Sequence, residues 1–82
     1  MDALARLIQK AMHRKRMSAE AVALRTGIRT PRVKAFAEDG AEGPVRPTEE
    51  ELTALARMLS LPATEVLVAA RGTDGAGADP AR

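Results

Sequence analysis

The chain contains no cysteine, tryptophan or tyrosine, only one phenylalanine, Phe36, and only one histidine, His13. Without cysteine there is neither a disulfide framework nor a thiolate metal site, which fits a reducing compartment. With no second ligand near it, His13 reads as a surface residue or a phosphate neighbour rather than as a metal ligand. So few aromatics argue against a platform for stacking single-stranded bases. No apolar run approaches the roughly 20 residues that span a bilayer, and the opening residues do not read as a signal peptide. A cytoplasmic location without membrane attachment is therefore expected. There is no cysteine nucleophile, no glycine-rich phosphate loop and no metal-ligand spacing, so neither an enzyme nor a cofactor is expected. At 82 residues the chain holds one small domain, marginal in the surface it can bury and a reasonable oligomer.

What the chain does have is segregated charge. Residues 1–34 carry nine Lys or Arg against Asp2 and Glu20, a net +7, whereas residues 35–82 carry four Arg against nine acids, a net −5. The overall +2 hides this division. A field of that shape points to a polyanion on one side of the molecule.

Apolar spacing places five helices. Leu4, Leu7, Ile8, Ala11 and Met12 form one stripe over 2–16, with Asp2 at the positive helix end and His13 to Arg16 at the negative one. Ser18 is suited to cap a second helix and Met17 to staple onto Val22. That helix should stop at Gly27, where a left-handed backbone costs glycine little. Thr30 and Pro31 are expected to open the third as cap and first helical residue. Residues 38–47, EDGAEGPVRP, read as a loop. Thr48 and Glu51 form a capping box for a fourth helix over about 48–59, and its three glutamates read as capping rather than as a metal or acid–base site. Pro62 opens a fifth that should end near Arg71 before Gly72, giving a domain over 1–72 and a disordered tail over 73–82.

Ser18, Val22, Ala23, Gly27, Ile28, Val33 and Phe36 stand in the register S-x-x-x-L-A-x-x-x-G-V-x-x-x-x-I-x-x-[LWF]. This stretch resembles the Cro/CI-type helix-turn-helix family, also called lambda-repressor-like or XRE. The run from Pro47 to Leu61 extends the likeness across residues 3–71. The resemblance implies a compact all-α five-helix domain whose third helix enters the DNA major groove. Carried over residue by residue, it gives Arg29, Thr30, Arg32 and Lys34 as base readers and Lys15, Arg16, Ser18 and Arg46 as phosphate contacts. The chain departs from the family at Ala37, where a glutamate is usual, and in its longer 38–47 loop.

Double-stranded DNA is thus the expected partner of a homodimeric transcriptional regulator, and the Ala- and Arg-rich composition hints at a GC-rich bacterial genome. At 100° per residue, however, the outward centre of the third helix falls on Pro31, Ala35 and Glu38. Pro31 and Ala35 offer only carbon, able to meet thymine methyls but not to hydrogen-bond a base. The alternative is a helix-turn-helix that docks on another protein, an adaptor or antitoxin-like partner, through helix 3 or helix 5.

Overall fold

A computed structural model describes residues 2–78, with side chains as far as Arg71. Among those residues it is all-helical, with five helices and no strand: α1 Ala3–Lys15, α2 Ala19–Thr26, α3 Thr30–Asp39, α4 Glu49–Met58 and α5 Ala63–Ala78. No helix is long and apolar enough to cross a membrane among the described residues.

Asp2 begins α1 as a true cap, its Oδ1 accepting the Leu4 and Ala5 N–H groups at 2.7 and 3.3 Å. Two donors that the first turn leaves unpaired are satisfied. The helix ends at Arg16, a non-glycine residue in left-handed conformation at φ 56°. Two residues later the Ser18 Oγ accepts the Ala21 N–H at 3.1 Å, so α2 starts where its capping serine predicts. Its exit is built from Thr26 and Gly27. The Thr26 hydroxyl donates to the Val22 carbonyl at 2.8 Å and accepts the Ile28 N–H at 3.2 Å, while Gly27 takes φ 81°. Open space surrounds the place of its missing Cβ, so the backbone angle alone calls for glycine there.

The third helix differs from expectation at its start. Arg29 is the cap residue and makes no side-chain cap bond, so Thr30 and Pro31 are the first and second helical residues. Pro31 still fits, because its absent N–H is one that the first turn would leave unpaired. At the exit, Gly40 turns the chain at φ 67°, ψ −140°. A Cβ there would lie 2.1 Å from the Asp2 carboxylate. Glycine is needed on both counts, angle and close approach.

The capping box of α4 is complete: Thr48 Oγ1 accepts the Glu51 N–H at 3.1 Å and Glu51 Oε1 accepts the Thr48 N–H at 2.9 Å. Its successor α5 passes through Gly72, the expected stop, and continues to Ala78. Glycine permits a left-handed exit without imposing one, at a helical cost of about 1 kcal/mol against alanine. Of the tail expected to be disordered, 73–78 is helical backbone and 79–82 lies outside the described residues.

One core joins the elements: Leu4, Ile8 and Ala11 of α1, Val22 and Ala23 of α2, Val33 and Phe36 of α3, Leu52, Leu55 and Ala56 of α4, then Leu59 and Val66. Phe36 is its largest fully buried side chain. Burying each such large apolar group contributes about 1.5–3 kcal/mol. The packing is α1 on α3 and α5, α2 on α3 and α4, and α4 on α5. Thus α3 rests on α1 and α2, and the entry of α4 reaches it through Arg32 and Glu51.

Candidate functional site

Val33, Phe36 and Ala37 anchor α3 inward, which fixes what it can show outward. Pro31, Lys34 and Glu38 are exposed and Ala35 is partly so. Arg29 is exposed ahead of the first turn, and Thr30 is half-buried beside it. Lys15, Arg16, Ser18 and Arg46 are all exposed. Arg16 and Arg29 occupy helix ends that other residues serve better locally. Glycine suits a left-handed exit and serine or aspartate an N-cap, yet the chain places an arginine at each.

Arg32 does not join them. Its Nε donates to Glu51 Oε2 at 2.7 Å and its Nη2 to Glu51 Oε1 at 2.8 Å, a bidentate pair spanning α3 and α4. A third bond runs from Nη2 to the Arg46 carbonyl at 3.2 Å, and the guanidinium carbon lies 5.3 Å from the centre of the Phe36 ring. Three of its five N–H groups are spent and two, on Nη1, are left. Arg32 was expected to read bases, and here the fork that would match a guanine edge is filled by a carboxylate of the chain itself. Lys34 is far less committed. Its Nζ is 3.8 Å from Glu20 Oε2, with both side chains more than half exposed, and such pairs are worth little in water.

Glu51 consequently has two roles. The hydrogen bonds from Arg32 hold its carboxyl below the ordinary glutamate range, chiefly over the opposing effect of partial burial, and the Thr48 N–H adds to the shift. Arg32 is raised in return by the same bond. The capping role is visible in the spacing Thr48 to Glu51, but the Arg32 role joins positions 19 residues apart and has no local signal. Two further contacts share that property: the Gln9 side-chain amide donates to the Ala37 carbonyl, and Asp2 lies against Gly40. Sequence patterning also passes over Leu24, a large apolar residue left 85% exposed on α2.

His13 is exposed in the last turn of α1. No group of three or more potential metal ligands comes together among the described residues. No protein-family model, curated protein or solved structure matches the chain, and its fold and site rest on its own residues.

Proposed function

We propose that the chain is a lambda-repressor-like helix-turn-helix domain, formed by α2 and α3, that binds double-stranded DNA as a transcriptional regulator. The observation that carries this reading is the exposed cation Arg29 at the entry of α3, on the rim of a cleft it shares with Arg32, Glu50 and Glu51. Arg29 makes no side-chain cap bond and is exposed there, and Lys15, Arg16 and Arg46 are likewise exposed and in no ion pair with another described residue. A helix that enters the major groove by its N-terminal end reads bases with those first residues. Arg29, Thr30 and Lys34 are then the polar readers, and Pro31 and Ala35 meet thymine methyls. Ser18 and the α2 N–H groups, with Lys15, Arg16 and Arg46, hold phosphates and set the register. Glu38 and Asp39 lie at the far end of α3, away from the groove.

A homodimer on two half-sites about 34–36 Å apart completes the reading. Val68 of α5, 51% exposed, is an apolar residue available for pairing. Such a regulator acts in the cytoplasm, on the nucleoid.

Selection of bound duplexes from a random-sequence pool, followed by titration of the selected and the random duplex at several salt concentrations, tests it. Log K should fall with log salt by about 0.9 per phosphate neutralised. Replacing Arg29 and Lys34 together with alanine should abolish sequence preference without unfolding the domain. Binding that survives this double change with its preference intact removes the site assignment, and no binding to any duplex removes the function. The exposed Leu24 and the carbon-only centre of α3 favour the second reading, a protein-docking module. That reading is supported if duplex DNA fails while the folded chain forms a stoichiometric complex with one protein partner.

A further inference from the structure

We infer that Glu51 is a specificity-determining residue: by occupying the Arg32 fork it withholds a guanidinium from the DNA backbone and so suppresses sequence-independent binding. The inference rests on the DNA-binding reading above and concerns how that site is restrained.

Carboxylate and phosphate present the same planar pair of oxygens to an arginine fork, and both are gripped by two parallel N–H bonds. At 2.7 and 2.8 Å the Glu51 carboxylate has the geometry with which Arg32 would otherwise hold a phosphate. The place is suitable as well. Arg32 Nη2 also reaches the Arg46 carbonyl, so the pair sits against the loop whose Arg46 is assigned to a phosphate. Without Glu51, a backbone phosphate held by Arg46 would lie near a second, unoccupied cation. Glu51 is in turn fixed by its own helix, because Oε1 also accepts the Thr48 N–H. The competing carboxylate is therefore held in place by the α4 cap rather than by chance contact. Phosphate contacts raise affinity for every sequence alike, whereas base contacts separate one sequence from another. Removing one strong phosphate contact from a cationic face lowers non-specific affinity more than it lowers discrimination.

Glu51→Gln tests this, since glutamine keeps an oxygen for the Thr48 N–H and can still close a capping box. Binding of the full chain to a random-sequence duplex is measured from about 50 to 200 mM salt. The variant should bind this duplex more tightly than the parent at low salt, with a log–log slope steeper by about 0.9, one extra phosphate. Its advantage then shrinks about 3.5-fold across that range. Adding Arg32→Ala should return the slope to the parent value, and Arg32→Ala alone should leave it unchanged. Glu50→Gln makes the same charge change one residue away, without the fork, and should barely move the slope. Melting curves confirm that each variant is folded. The inference is overturned if Glu51→Gln leaves the slope unchanged, if Glu50→Gln steepens it equally, or if Arg32→Ala alone flattens it. In each of those cases DNA binding itself stands. If the parent and every variant ignore duplex DNA, the functional reading falls and takes this one with it.

Discussion

The third and fourth helices have the same length, ten residues each, and opposite relations to their own sequences. In α4, local signals agree. A complete capping box starts it, Glu49, Glu50 and Glu51 face the positive end of the dipole, and Arg57 faces the negative end. In α3 the signals conflict. No side chain caps it, no acid stands in its first turn and no base in its last, while Arg29 precedes it and Glu38 and Asp39 close it. It is held from outside, by the burial of Phe36 and Val33, by Gln9 on the Ala37 carbonyl and by the Arg32–Glu51 pair. A helix that stabilises itself serves as scaffold, and one that must be held is free to carry charges its own dipole disfavours. Violations of local consistency gather where function resides.

The comparison breaks most severely at the anchor. Phe36→Ala should cost about 3–5 kcal/mol, a large share of what a domain this size can spare, and thermal melting should lose its cooperativity. A chain that melts normally after this change would show that α3 needs no tertiary anchor. Gly40→Ala comes next, at about 1–3 kcal/mol for a backbone angle that L-residues avoid, with the Asp2 carboxylate crowding the new Cβ. Urea denaturation would show it as a lower midpoint at unchanged slope.

The two N-caps then sharpen the contrast by moving in opposite directions. Thr48→Ala should destabilise by about 1 kcal/mol, whereas Arg29→Ser, which supplies the cap that α3 lacks, should stabilise by somewhat less than about 1 kcal/mol. The same serine should weaken duplex binding. Stability and affinity rising together in Arg29→Ser would mean that the arginine is not placed there for DNA.

The smallest effect is the acid response of Glu51. Its folded-state carboxyl sits below the ordinary range, so near pH 4 the unfolded chain binds more protons than the folded one. The stabilisation is fully present above the unfolded value of about 4.3 and fades as pH drops through the lower folded value. Melting temperature followed downward from pH 6 should fall less steeply in Glu51→Gln than in the parent. Identical profiles would mean that the pair contributes nothing to acid stability.

These differences also explain what could be read in the sequence. Starts governed by neighbours three residues apart were legible, as at Ser18 and at Thr48 with Glu51, and so was the left-handed exit at Gly27. The entry of α3 falls one residue earlier than expected, because Thr30 before Pro31 looks like a cap, whereas Arg29 takes the extended cap conformation and Thr30 is already helical. The C-terminal reach of α5 was missed because a glycine after an apolar run is weak punctuation. Of the site, the exposed cations could be anticipated from charge segregation. The withdrawal of Arg32 could not, since it depends on a fold that brings the entry of α4 beside α3.

The meeting of Asp2 with Gly40 has a further consequence. One carboxylate caps α1 and lies against the turn that releases α3, so the entrance of one helix and the exit of another share a single hinge pin. A larger side chain at residue 2 would crowd Gly40 and press on both helix ends at once. The bearing of the exposed helix is thus tied to the first residues of the chain.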